Sequence, residues 1–157
     1  MKIALTMVCS MLALTSFQNN PGSQGWRGII PMHSTRTDVE RLLGLGTNND
    51  FLTTYYLQDE NVLFHYSTGD CKSGKGAWDV PLDTVIWITV HPKPNSQFSA
   101  LKLDENKFKK TRNGHIAAIV SYINEEDGLS IEVDEESDAV RGYYYGPTRK
   151  EKHLRCP

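Results

Sequence analysis

The sequence lacks three features that would assign it to a common functional class. Its longest apolar run, residues 3–14, is shorter than the roughly 20 residues that a transmembrane helix needs. Basic side chains are not in excess, with 17 Lys and Arg against 19 Asp and Glu, so nucleic acid is not expected as the main partner. No G-x-S-x-G or other nucleophile motif occurs, and we expect no enzymatic activity and no cofactor. With 39% hydrophobic residues, the composition is that of a soluble globular chain.

The N-terminal segment has the features of a secretory signal. One lysine precedes the apolar run, and the small residues Thr15 and Ser16 follow it. We therefore predict a signal peptide over residues 1–20, a flexible leader over 21–27, and an exported protein that is periplasmic or extracellular. A buried N-terminal helix is the alternative. Removal of the signal takes one lysine from the 17 basic side chains and none from the 19 acidic ones, which leaves a net charge of −3.

The cysteines predict one disulfide bond. Cys9 lies within the signal, so the mature chain keeps Cys71 and Cys156. Two cysteines in an exported chain most simply pair with each other, and this bridge would tie the C-terminal tail to the loop around Cys71. The alternative is a catalytic pair of Cys71 with His65 or His153.

One helix is well marked. Thr35 and Asp38 form a capping-box pattern, an apolar stripe with helical spacing begins at Val39, and Gly44 ends the segment. A second, weaker helix is predicted within residues 101–111.

Alternating apolar and polar residues predict strands in both halves of the chain. The predicted strands cover residues 53–57, 61–66, 84–92, 115–123, 128–133 and 139–147. One helix followed by strands with short connections suggests an α+β domain over residues 28–157, an antiparallel sheet with helices packed on one face. The similar order of the halves, about 28–95 and 96–147, leaves open a tandem α-β-β-β repeat.

The face that the helices leave open is the predicted binding surface. Strict alternation places Ile86 and Tyr144 on the helix-covered face. The same alternation assigns five residues to a partner-binding surface on the open face: Trp87, His91, Arg141, Tyr143 and Tyr145. Tyr and Trp supply large contact area with a polar group at protein interfaces, so the expected partner is a protein or another envelope macromolecule. The alternative is that the leader covers this face, with Trp26 packed onto Trp87.

The segment "GIIPMHSTRTDVERLLG" resembles the opening helix of the SmpA/OmlA type of small envelope proteins. The matching residues are Gly28, Ser34, Thr35, Val39, Leu42, Leu43 and Gly44. This resemblance implies a fold like that of the β-lactamase inhibitor protein, with helices on one side of a curved antiparallel sheet. Through "WRGIIPMHSTRTDVERLLG", "WDVPLDTV" and "YYYGPTRKEKHLRCP", the chain also resembles a family of small exported bacterial proteins of unknown function.

Other motifs support weaker hypotheses. Gly69, Gly74 and Lys75 have nucleotide-loop spacing, but the lysine is followed by glycine instead of Ser or Thr, which argues against nucleotide binding. The acidic turns "NEEDG" and "DEESD" do not fit a calcium loop. The basic tail, residues 149–155, could contact anionic lipid, although a solvated tail held by the disulfide is the simpler interpretation.

Two alternatives to a binding protein remain. One is a hydrolase or metal enzyme acting on envelope material, with His65 and His91 in its site and Glu132 as a further ligand. However, two neighbouring histidines fall short of the three or four ligands that zinc requires. The other is a structural envelope component.

Overall fold

The computed structural model describes residues 24–69, 71, 77–93, 96–112 and 118–157. The predicted signal peptide lies outside the described residues, as do Gly74 and Lys75 of the glycine-rich loop and the start of the strand predicted at His115. Within them the chain forms one α-helix, α1 (Arg36–Leu43), and eight strands. The strands are β1 (Thr47–Asn49), β2 (Leu52–Tyr56), β3 (Glu60–Tyr66), β4 (Val85–Pro92), β5 (Lys109–Arg112), β6 (Ile119–Asn124), β7 (Leu129–Asp134) and β8 (Ala139–Tyr145).

The strands form one antiparallel sheet in the order β1-β2-β3-β4-β8-β7-β6-β5. Each half of the chain is a four-stranded meander, in which strands that follow each other along the chain are paired. The two meanders meet where β4 pairs with β8, through Ile88–Tyr145, Thr89–Tyr144 and Val90–Tyr143. This junction at the centre of the sheet brings the two halves into one layer.

Helix α1 begins and ends where the sequence predicts. The Asp38 backbone N–H and side chain exchange hydrogen bonds with Thr35, which completes the capping box. Gly44 ends the helix with φ 78°, a conformation that glycine adopts without steric cost. Val39 is fully buried and packs in the main core, which holds the helix against the sheet.

One face of the sheet carries the main core, and we call it the core face; the opposite side is the outer face. Val62 and Phe64 of β3, Ile88 of β4 and Ile131 of β7 belong to this core, because alternate residues of each strand point to the same side. Trp26, from the segment before α1, packs edge-on against Phe64, with ring centroids 5.7 Å apart. The core face is thus covered by α1, the Trp26 segment and parts of the chain between β4 and β5.

The predicted α+β class is wrong, since the fold is mainly β and its described residues contain a single short α-helix. In place of the second helix the chain forms two 3-10 turns, Ser99–Leu101 and Glu105–Lys107, and then β5. Leu103 and Phe108 do not fall on one helical stripe, and Lys102 adopts φ 51°, which interrupts a right-handed helix. The tandem α-β-β-β order is therefore also incorrect, because the second half has no α-helix within its described residues.

Two irregularities in strand pairing change which residues face the core. Val133 pairs with Val140 but Glu132 pairs with Gly142, so Arg141 is an extra residue in β8. Such a bulge reverses the side on which every later residue of the strand lies. A second bulge makes Ile86 the extra residue of β4. Ile86 leaves the main core and packs with Met32 and Val80 in a smaller apolar cluster.

Candidate partner-binding face

The outer face is built from rows of paired side chains across the central strands. One row runs Leu63, Thr89, Tyr144 and Ser130, on β3, β4, β8 and β7. Residues paired directly across antiparallel strands lie on the same face with their side chains in contact range. The row therefore places Tyr144 at the centre of the outer face.

Trp87 is an exposed aromatic side chain near the centre of this face, with 44% of its surface accessible. Its indole lies over Gly146, where a Cβ added to the glycine would come within 1.9 Å of a ring carbon. Trp78 packs against the ring edge-on, at a centroid distance of 6.4 Å. A glycine below and an aromatic ring beside it fix the orientation of Trp87, so its exposed surface is preorganised for contact.

Tyr144 is held by polar partners on the neighbouring strands. Its hydroxyl donates a 2.7 Å hydrogen bond to Glu132, and the His91 ring lies perpendicular to the tyrosine ring at 6.4 Å. Burial, and then the bond to the Glu132 carboxylate, raise the pKa of Tyr144. The phenol stays protonated at neutral pH and keeps its position as a donor.

A groove of about 180 Å³ lies between Trp87 and Tyr144. Ile123 and Pro147 contribute to its apolar wall. At its rim Lys152 and Glu125 form an ion pair of 2.8 Å. An apolar groove with two aromatic sides and a charged rim has the composition of a protein-contact site.

The C-terminal tail borders this groove. Its 3-10 helix, Arg149–Leu154, is fixed to the sheet through Glu125, whose backbone carbonyl accepts from the Arg149 N–H at 2.7 Å. Further along, Cys71 and Cys156 lie at disulfide distance, with Cα atoms 5.4 Å apart. The tail is therefore held at both of its ends.

The structure places the five predicted surface residues on different parts of the sheet. Trp87 and His91 are exposed on the outer face, and Arg141 is the extra residue of the β8 bulge, with its guanidinium bonded to Asp134. Tyr143 and Tyr145 lie on the core face, opposite Ile131 and Leu129, so their assignment to the open face is wrong. The bulge at Arg141 is the physical reason, because it shifts the alternation by one residue.

Sequence reasoning missed three residues that shape the groove: Tyr144, Trp78 and Gly146. Strict alternation assigns Tyr144 to the wrong face. Gly142, which directly follows the extra residue, was an available signal, since a glycine inside a strand often marks a bulge. Trp78 and Gly146 lie outside the strands, and no local pattern connects them to Trp87.

In the alternative interpretation the leader covers the open face and Trp26 packs onto Trp87, but the structure places Trp26 elsewhere. Its side chain is 1% exposed and lies in the main core, on the other side of the sheet from Trp87. Trp78 takes the position beside Trp87 instead.

The histidines proposed for an enzyme site do not converge. His65 pairs with Trp87 and His91 with Asn61, at opposite ends of the shared β3–β4 register. Partial burial lowers the pKa of His65. Glu132 is engaged by Tyr144. Among the described residues, no group of three or more His, Cys, Asp or Glu side chains is placed to hold a metal ion.

The acidic turns are ordinary connections between strands. The Asn124 side-chain oxygen accepts hydrogen bonds from the backbone N–H groups of Glu126 and Asp127, at 3.1 and 3.2 Å. Asp134 does the same for Glu136 and Ser137. Such side-chain acceptors stabilise tight turns between strands, and this accounts for the first residue of each acidic run.

The cysteine pair bears on where the protein resides. The cysteine pair at disulfide distance is compatible with an exported protein, because such bonds persist in oxidising compartments. In the part of the chain that the structure describes, no helix has the length and apolar character to cross a membrane.

No family model matches the chain, and no curated protein or solved structure shows significant similarity to it. The resemblances to the SmpA/OmlA type and to the small exported proteins stay predictions from the sequence.

Proposed function

We propose that the protein is an exported, non-enzymatic binding protein that holds a protein partner on its outer face, at the groove between Trp87 and Tyr144. The observation that carries this proposal is the exposed indole of Trp87, fixed over Gly146 and against Trp78. Rigid aromatic anchors beside a groove lose little conformational entropy on binding, and Trp and Tyr dominate the energetics of protein interfaces.

The shape and charge of the groove indicate what part of a partner it takes. About 180 Å³ of largely apolar space suits an apolar side chain, which would enter between Trp87 and Tyr144. The Lys152–Glu125 pair at the rim and the His91 ring offer hydrogen bonds to the backbone or polar side chains on either side. The occupant is therefore an exposed loop or extended segment of the partner that carries an apolar residue.

The position of the contact is tested by photo-crosslinking in the native envelope. A benzophenone amino acid replaces Thr89, which lies between Trp87 and His91 on β4, and in a matched protein it replaces Thr37, which is exposed on α1 on the other side of the sheet. We expect one dominant crosslinked protein from position 89 and none from position 37. The same product from both positions would place the contact elsewhere.

The contribution of the anchor is tested by substitution. Trp87→Ala should weaken capture of that crosslinked partner by about tenfold or more, as expected for an interface hot spot. Leu42→Ala is the control, because Leu42 is similarly exposed, at 48%, but lies on α1. Unchanged capture by the Trp87 variant, with the protein still folded, contradicts the proposal.

A further inference from the structure

A second concave site lies on the core face, where β3 begins and β4 ends. It encloses about 330 Å³, and Trp26, Glu60, Tyr143 and Tyr145 are among its walls. The sheet separates it from the groove beside Trp87. A ligand here would therefore be additional to the protein partner proposed above.

Glu60 places a fixed negative charge in this cavity. The residue is only 7% exposed, and its Oε1 atom accepts hydrogen bonds from the Trp26 indole at 3.2 Å and the Arg27 guanidinium at 2.8 Å. Both bonds hold the carboxylate in place, and the Arg27 guanidinium lies 4.7 Å above the Trp26 ring. A carboxylate in this position can accept hydrogen bonds but offers no donor.

The tyrosines supply aromatic walls that feel the charge of Glu60. Tyr145 is 3% exposed and Tyr143 is half-buried against the core. Burial is the main cause that raises the pKa of both phenols, and the negative charge of Glu60 adds to it. Both rings therefore stay neutral and aromatic beside a carboxylate.

The charges of the lining favour a cation. The lining itself carries one net negative charge, because Asp59 and Glu60 are acidic and Lys93, whose ammonium group is bonded to the Leu57 carbonyl, is basic. Arg27 is not part of the lining and pairs with Glu60 through the Oε1 atom alone. Aromatic faces attract cations, most strongly where water is excluded, and quaternary ammonium groups are commonly bound in this way.

We propose that this cavity binds a compact organic cation, an alkylated amine or quaternary ammonium group, with Glu60 as the counter-charge and Trp26, Tyr143 and Tyr145 as the aromatic walls. The cavity is at the lower end of the size range for small-molecule sites, which suits a compact head group and excludes an extended ligand.

The test uses choline and its uncharged isostere 3,3-dimethylbutan-1-ol, each titrated into the oxidised protein. The reporters are the indole N–H signals in ¹H–¹⁵N NMR spectra, because the chain has 3 tryptophans and the Trp26 N–H bonds directly to Glu60. Trp78 and Trp87, on the other side of the sheet, are internal controls, assigned with their Phe variants. We expect choline to shift the Trp26 signal alone, and the neutral alcohol to bind about tenfold more weakly.

Variants of the walls show whether the cavity itself is responsible. Tyr143→Leu removes an aromatic wall and should weaken choline binding by about tenfold. Tyr144→Leu, the next residue but on the outer face, should leave it unchanged. Glu60→Gln keeps an acceptor for Trp26 and should abolish the preference for the charged ligand.

Three outcomes overturn the proposal: equal binding of choline and the alcohol, a Trp26 shift that Tyr143→Leu does not weaken, or no shift at choline concentrations on the order of 10 mM, the range expected for so small a ligand. None of these outcomes would contradict the outer-face proposal, which depends on Trp87.

Discussion

Gly146 determines the orientation of Trp87, because any side chain at this position would occupy the volume of the indole. The Cβ of an alanine would lie 1.9 Å from a ring carbon of Trp87, and its three nearest atoms all belong to that ring. The ring is exposed on its other side and can swing outward. We expect Gly146→Ala to displace Trp87, to change its fluorescence emission, and to reduce partner capture nearly as much as Trp87→Ala.

Gly142→Ala is the matched control for this substitution. Its Cβ would lie 3.1 Å from the Tyr144 ring, a contact that a small movement relieves. Trp87 emission should therefore stay close to that of the unmodified protein. If Gly146→Ala leaves the emission unchanged as well, Trp87 does not rest on Gly146.

At the residue scale, alternation predicted part of the candidate site. It placed Trp87 and His91 correctly, because β4 is regular from Trp87 onward. It failed for Tyr143 and Tyr145, since one extra residue at Arg141 reverses the faces. The hydrophobic pattern could not reveal this error, because tyrosine is compatible with either a core or a surface position.

At the scale of single elements, α1 depends on its N-terminal cap. The Thr35 side chain accepts from the Asp38 N–H and returns a 2.8 Å hydrogen bond to the Asp38 carboxylate. We expect Thr35→Ala to lower the free energy of unfolding by about 1 kcal/mol. Urea denaturation followed by circular dichroism measures this, and Thr37→Ala, in the exposed first turn, is the control. Equal losses from both variants would show that the cap contributes nothing specific.

Elements with several coinciding local signals were predictable. Helix α1 has a capping box, an apolar stripe and a terminal glycine, and the hairpin of β2 and β3 combines alternation with a short polar turn. The segment before β5 has none of these signals in register. Its two 3-10 turns follow from the need to lead the chain to the edge of the sheet while Phe98 packs against Tyr122, at a centroid distance of 4.2 Å. That requirement comes from tertiary packing and cannot be predicted from a short stretch of sequence.

At the scale of the whole molecule, the cysteine pair joins positions 85 residues apart. Chain-entropy models give roughly 4 kcal/mol for a loop of this length. Reduction should therefore lower the free energy of unfolding by about this amount and release the tail from Trp78 and Ile86. The measurement is guanidinium denaturation with and without reductant.

The double variant Cys71→Ser/Cys156→Ser provides the reference for reduction. It should resemble the reduced protein and show no further response to reductant. An oxidised protein no more stable than this variant would mean that the bond contributes nothing to the folded state.

The central pairing of β4 with β8 has a consequence for how the chain folds. Each meander is made of neighbouring strands, so it can form through short-range contacts that close quickly. The pairing of Ile88 with Tyr145 joins segments that are distant along the chain, so we expect it to form more slowly than the pairing within each meander. An intact link from Cys71 to Cys156 holds these segments near each other before they dock. The oxidised chain therefore has a shorter effective loop to close in its final docking step than the reduced chain.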